Sequence, residues 1–388
     1  MARHIPHSKT LTLLPLAGIV AGILQLPQII VFSINLLALG VLLDWISRSI
    51  SAISVNTGRL TNELLKGTLG NAVELMIGIS SVIRGAPHIT RSILLGSILC
   101  NLLLVLGGSL FFAGYDKNRL RFDRHLTTTL SSLMMVIFIM LATPTALEAL
   151  SSRHDVSVEE AILTQQATAV NLIALLGIFL FFRLNTHAEM FAGTPIQHGN
   201  SDVGSSHNRA GVQGLQPLSG PWRSLLVLIV ASLCTLACSF QIVDSVNNVG
   251  KALGTNPSFP TLAIIPLVGN IAKHRMIVEG SRAEQHIERG IRAIINGILR
   301  LTMLVAPLIV TVGWVLDQPL ILKFDEFEAT TLLLSIVVMT YLISDGRSNY
   351  FEGLMLIGTY IIMVFSFYVR PATPAARISA RADDIWQG

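Results

Sequence analysis

LLKGTLGNAVELMIGISS, residues 64–81, is the stretch that decides how this chain folds. It is apolar enough to lie in a membrane, yet Gly70, Asn71 and Glu74 stand in its middle. A charged side chain at mid-membrane depth costs about 2.5–3.5 kcal/mol on insertion scales, so one found there marks a functional site. The Gly-Asn pair loosens the helix and frees backbone carbonyls, as in the interrupted helices with which transporters coordinate cations. Gly269-Asn270-Ile271-Ala272-Lys273-His274 repeats the signal in the second half of the chain. Two such helices, one in each half, predict an inverted-repeat transporter with its site at the repeat interface. The second copy carries Lys273 where the first carries Glu74.

Composition agrees with a membrane location. Of the 388 residues 52% are hydrophobic and 13% charged, about half the charged fraction of soluble domains. The net charge of +4 is small, so basic residues here report topology rather than nucleic-acid binding. Cys100, Cys234 and Cys238 all lie in apolar runs and read as packing residues rather than a disulfide or metal site. The first apolar run lacks a small-residue cleavage site and reads as a signal-anchor.

A span needs about 20 apolar residues, fewer when short or tilted. That rule predicts an all-α polytopic membrane protein of about 11 transmembrane helices: residues 11–26, 29–46, 60–82, 89–112, 126–142, 161–182, 224–243, 261–278, 291–316, 329–344 and 350–369. The polar, Gly/Ser/His-rich segment 185–221 separates two quintets and reads as a flexible loop. The expected organisation is a tail and extra helix (1–28), a first repeat (29–184), the loop (185–221), a second repeat (222–370) and a C-terminal tail (371–388). Five helices per repeat place the repeats in opposite orientations. With the N-terminus in the cytosol, cytosolic segments hold 15 Lys and Arg against 8 on the far side. The positive-inside rule therefore puts the N-terminus and central loop in the cytosol.

With these residues in place the chain resembles the calcium/proton exchangers of the calcium/cation antiporter superfamily, of the fungal vacuolar type. The resemblance rests on Thr57-Gly58, the block from Gly70 to Leu75, the run from Gly96 to Gly107, and Leu184 to His187. Val243-Asp244-Ser245, Pro266 to Asn270, Gly313-Trp314, and Asp345 to Tyr350 with Glu352-Gly353 follow in family order. It implies ten core helices in two inverted repeats plus an N-terminal one, and a cation site between the two signature helices. It also implies calcium moved into the vacuole in exchange for protons, with calcium as transported ion and no other cofactor. The physics agrees, since a hard divalent cation takes six to eight oxygen ligands, and a carboxylate can take up protons when the cation leaves.

On this reading Glu74 is the expected metal ligand. Gly70, Asn71, Gly269, Asn270, His274, Ser97 and Asn101 line the cation and proton pathway. Asn71 and Asn270 each put an amide into an apolar span, where it needs a partner. Ser97 and Asn101, four apart on one face, line the same cavity or bond across helices. His274 stands at a position associated with proton handling and titrates or packs. Asp345 and Glu352 flank a loop whose turn they are expected to fix.

The chain departs from the family where cation chemistry is done. Lys273 replaces the second signature glutamate, Lys66 stands where an asparagine is usual, and Arg300 stands where a glutamine is usual. Phe240 replaces a glutamate four residues before Asp244, and Cys100 replaces a serine. Basic residues near Glu74 would repel a divalent ion, a unit pair at about 4 Å being worth roughly 4 kcal/mol at an effective dielectric near 20. Three readings stay open. One is calcium/proton exchange, and another is an exchanger fold with an altered or anionic substrate. The third is a non-transport role such as an intramembrane acid/base enzyme built on Glu74 and Lys273. There is no nucleotide loop, HExxH pair or G-x-S-x-G elbow in the sequence.

Overall fold

The computed structural model describes residues 13–55, 57–117, 119–150, 158–188, 221–256, 258–269, 271, 278, 284–318 and 324–369. Asn270, Lys273, His274 and most of the expected central loop lie outside the described residues.

Among the described residues, eight helices are long and apolar enough to cross a membrane. They are Gln28–Ile53, Pro87–Gly114, Arg124–Thr145, Ile162–Thr186, Trp222–Ala252, Ile287–Val315, Glu326–Ile343 and Tyr350–Val369. Two shorter apolar helices, Leu14–Ile23 and Pro260–Gly269, join them. The chain also carries the interrupted helix opened by Arg59–Thr68 and closed by Ala72–Ile83. For reference below, α1 is Leu14–Ile23, α2 Gln28–Ile53, α3 Arg59–Thr68, α4 Ala72–Ile83, α5 Pro87–Leu99 and α6 Leu106–Gly114. Then come α7 (Arg124–Leu150), α8 (Val158–Phe181), α9 (Pro221–Ala252), α10 (Ile265–Gly269), α11 (Glu284–Arg300), α12 (Ala306–Val315), α13 (Glu326–Ile343) and α14 (Tyr350–Val369).

The two halves pack as a pseudo-symmetric pair. Helix α2, first of its half, packs along α9, first of the other. Helix α14 packs on α6, and reciprocally α8 packs on α12. Each half's third span holds a π turn at its middle, Cys100–Val105 between α5 and α6 and Leu301–Val305 between α11 and α12. Such turns insert one residue into the i→i+4 ladder and are frequent at functional sites. These third spans are also the most enclosed, 94% and 78% buried along their apolar windows against 22–50% for the others. They form the centre of the bundle, and the outer helices turn Leu226, Ile229 and Leu233 outward. Helix α1 is added to this frame by Asn35, whose Nδ2 donates to Gly18 O at 3.1 Å.

Polar contacts between helices join ends that the expected topology puts on one membrane side. At one face Arg84 pairs with Asp244 at 2.7 Å and Arg91 with Glu328 at 3.2 Å. At the other face the connection before α7 and the one before α14 pair as two-residue antiparallel strands, Leu120–Arg121 (β1) with Arg347–Ser348 (β2). Asp345 Oδ1 accepts from the Arg347 amide, and Glu352 accepts from Ser348 and Asn349, so both acidic residues hold that turn as expected. Gly346 completes it at φ +73, where an added Cβ would stand 2.9 Å from Phe122 O.

A second glycine sets the distance between the halves. A Cβ at Gly96 would fall 1.9 Å from Leu262 O in the π turn Pro260–Ile264. The obstacle is backbone and has no rotamer to yield. Gly96→Ala must therefore push α5 off the second half's interrupted segment, at a cost of about 1–3 kcal/mol typical of overpacking. The thermal midpoint in detergent is expected to fall by several degrees, and an unchanged midpoint would show that the two segments slide freely.

Candidate functional site

The interruption expected at Gly70-Asn71 is present. A 3₁₀ turn, Leu69–Asn71, separates α3 from α4, and Asn71 leaves helical geometry at φ −118, ψ 40. Its buried side chain bridges the break, with Nδ2 donating to Gly67 O at 2.9 Å. Breaking the helix gives α4 an amino terminus in the interior of the bundle, and Glu74 lies in its first turn. A helix N-terminus carries partial positive charge, which favours a carboxylate there.

Glu74 is 1% exposed. Its Oε1 accepts the Ser97 hydroxyl at 2.9 Å. One turn on, Asn101 Nδ2 donates to Ser97 O at 2.7 Å, which leaves the amide's oxygen available as an acceptor or ligand. Of the expected pair, Ser97 thus touches Glu74, and Asn101 stands one turn further along the same helix. The π turn that carries Asn101 also packs against α11, where Asn296 has a buried amide oxygen with no hydrogen-bond partner among the described residues. In the same π turn Cys100 meets the hydroxyl of Tyr360 on α14.

The second half reaches this point through Gly269. A Cβ built there would sit 3.6 Å from Val73 Cγ1, so the last described residue of α10 crosses α4 one position before Glu74. Among the described residues, the glycine of the second Gly-Asn segment therefore meets the helix that carries Glu74, as repeat symmetry requires. Chemically the described part offers one carboxylate, a hydroxyl and amide oxygens, which are hard donors suited to calcium rather than to a soft metal. Among the described residues no group of three or more His, Cys, Asp or Glu gathers to hold a resident metal ion.

Lys66 and Arg300 are brought together around a different carboxylate. Glu63 Oε2 accepts Arg300 at 2.6 Å and Arg183 at 2.9 Å, with the three side chains 13–22% exposed. The Lys66 ammonium acts on the same carboxylate electrostatically. Glu63 lies eleven residues before Glu74, about 16 Å along a helical rise, so these charges sit toward one mouth. Sequence reading did not single out Glu63 or Arg183. The signal was present in the i, i+3 spacing of Glu63 and Lys66 on one helix face. At the opposite face Arg84 lies over the Phe240 ring at 5.4 Å while it pairs with Asp244, so the substituted position has acquired a cation–π contact.

Removing one member of a buried ion pair typically costs about 3–5 kcal/mol, because the other charge stays behind. Glu63→Gln leaves several cations facing one another, whereas Arg300→Gln leaves Glu63 with Arg183 and Lys66. Thermal unfolding is expected to rank Glu63→Gln as clearly less stable than Arg300→Gln. The reverse order would show that the arginines are held by something other than Glu63.

Comparison with known proteins completes this picture. The model of the family described as sodium/calcium exchanger protein matches residues 27–185 and 223–369. The vacuolar calcium ion transporter of Schizosaccharomyces pombe is 29% identical over 356 residues, covering 91% of this chain and 82% of that protein. The Ca2+/H+ antiporter of Aphanothece halophytica is 27% identical over 348 residues, covering 89% and 92% of the two chains. The solved structure of native YfkE superposes with a TM-score of 0.75 at 22% identity, covering 93% of this chain and 99% of that one. At that identity the likeness speaks to the fold.

Proposed function

The chain belongs to the sodium/calcium exchanger protein family, and on that premise we propose that it is a multi-pass calcium/proton antiporter of the vacuolar membrane. It moves calcium out of the cytosol against protons. The observation that carries the reading is Glu74, buried in the first turn of α4, hydrogen-bonded to Ser97 and crossed by Gly269 of the other half. That position lets one carboxylate hold either the cation or a proton. When calcium occupies the oxygens the carboxylate is ionised, and when calcium leaves toward an acidic compartment a proton replaces it. A group that must carry one or the other gives exchange rather than leak.

Asn71, Gly70 and the carbonyls at the end of α3 supply neutral oxygens on one side, and Ser97 and Asn101 on the next helix supply more. Gly269 and Asn270 are assigned the same part in the second half, with His274 close to the proton path. The basic bias supports a cytosolic N-terminus and central loop. The test is calcium uptake by vesicles containing the purified chain under an imposed proton gradient. Gradient-dependent uptake that a protonophore abolishes is expected. A folded protein that gives none would overturn the reading. Lys273 favours a second one, an exchanger fold whose substrate has shifted away from divalent cations, and a folded but silent protein would be its first support.

A further inference from the structure

Helix α14 turns one buried stripe to the bundle: Gly353, Leu356, Tyr360, Met363 and Phe367. Tyr360 brings the only hydroxyl in that stripe, halfway along the 20-residue helix and 7% exposed. A phenol hydroxyl buried at that depth needs a partner, and this one donates to Cys100 Sγ. The register of the contact is set by backbone. A Cβ at Gly107 would stand 2.8 Å from Gly353 O, and one at Gly353 would stand 2.6 Å from Gly107 O. The segments run antiparallel from that crossing, with Tyr360 seven positions after Gly353 and Cys100 seven before Gly107.

Cys100 is where the regular helical ladder gives way. Its amide N–H is shared between Gly96 O and Ser97 O, and the π turn Cys100–Val105 begins there. Ser97 O also accepts Asn101 Nδ2 at 2.7 Å, while Ser97 Oγ donates to Glu74 Oε1 at 2.9 Å. Ser97 and Cys100, three apart, share a helix face. A shift of the turn at Cys100 therefore moves the hydroxyl on Glu74 and the amide of Asn101 together.

We propose that Tyr360 is a positioning residue for the cation site. Its hydroxyl holds Cys100 against α14 and so fixes where Ser97 and Asn101 stand relative to Glu74. It acts through the π turn and supplies no ligand itself. The proposal rests on the exchange reading for the purpose this positioning serves. A thiol is a weaker hydrogen-bond partner than a hydroxyl, so Cys100, where the family resemblance gives serine, makes the hold softer in this chain.

The experiment uses the full chain in vesicles and two readouts. The first is proton-driven calcium uptake against calcium concentration. Tyr360→Phe removes the hydroxyl alone and is expected to raise KM about fivefold, the size of one lost hydrogen bond, with the maximal rate within about twofold of native. Cys100→Ala removes the same contact from the other side and is expected to match it. Cys100→Ser is expected to lower KM about twofold in the native chain and to leave it unchanged in Tyr360→Phe, because the two side chains act as a pair. The second readout is the infrared C=O stretch of protonated Glu74, identified by its loss in Glu74→Gln, which needs no transport. That band is expected to shift in Tyr360→Phe and in Cys100→Ala. A shifted band in a folded chain that takes up no calcium would sink the exchange reading and uphold the positioning role. An unshifted band in both variants, or a native KM in a transporting Tyr360→Phe, would overturn the proposal, whatever happens to the thermal midpoint.

Discussion

Proton-driven calcium uptake is expected to fall roughly 100-fold in Glu74→Gln, a loss of about 2.7 kcal/mol in the step that limits transport. The amide is nearly isosteric and its oxygen still accepts the Ser97 hydroxyl, now 2.9 Å from Oε1, so the bundle should persist. What it lacks is charge and a proton-binding site. A divalent cation loses its charged ligand at the crossing, and the empty carrier has nothing there to protonate on its return. Ser97→Ala should cost less, about tenfold, because it leaves the carboxylate and removes one hydrogen bond to it, at the low end of the roughly 1.5–3 kcal/mol that bonds to charged groups contribute. The measurement is initial uptake rate in vesicles matched for protein content, with thermal unfolding as a control for folding. Glu74→Gln transporting like the native chain would take Glu74 off the pathway.

What could be read from the sequence divides along physical lines. Gly70, Asn71 and Glu74 were legible because they violate an apolar run, and a violation at that depth has few explanations. Ser97 and Asn101 followed from helical spacing alone, and Ser97 stands on the carboxylate. The helix ends were less legible. Helix Arg124–Leu150 and helix Pro221–Ala252 run well past the apolar windows 126–142 and 224–243, since backbone hydrogen bonding continues where hydropathy stops. The π turns at Cys100–Val105 and Leu301–Val305 leave no mark in composition, because they answer to packing against the opposite half. Glu63 was hidden for another reason. Near the start of a span it looks like a solvated partner for Lys66, and only the fold brings Arg183 and Arg300, from distant parts of the chain, onto the same oxygen.

That placement of Lys66 and Arg300 isolates Lys273 as the substitution with the largest expected effect on transport. Lys273 itself lies outside the described residues, so the case rests on register. Glu74 follows Gly70 by four positions, Lys273 follows Gly269 by four, and Gly269 meets α4 beside Glu74. The expectation from repeat symmetry is that the ammonium stands opposite the carboxylate. A unit pair at about 4 Å is worth roughly 4 kcal/mol at an effective dielectric near 20, enough to occupy Glu74 in place of a cation. The native chain is accordingly expected to take up calcium more slowly than the Schizosaccharomyces pombe relative under the same gradient. Lys273→Glu should raise its rate tenfold or more by supplying a second carboxylate, and Lys273→Met should fall between. Reverting Lys66 or Arg300 as well is expected to add little, because their positive charge is directed at Glu63. A double-mutant cycle on stability gives an independent reading, with Glu74→Gln and Lys273→Met each destabilising more alone than together. A native rate equal to the relative's, with no coupling in the cycle, would place Lys273 away from the pathway. A silent Lys273→Glu in a folded protein would mean that the crossing has been rebuilt for a substrate other than a metal ion.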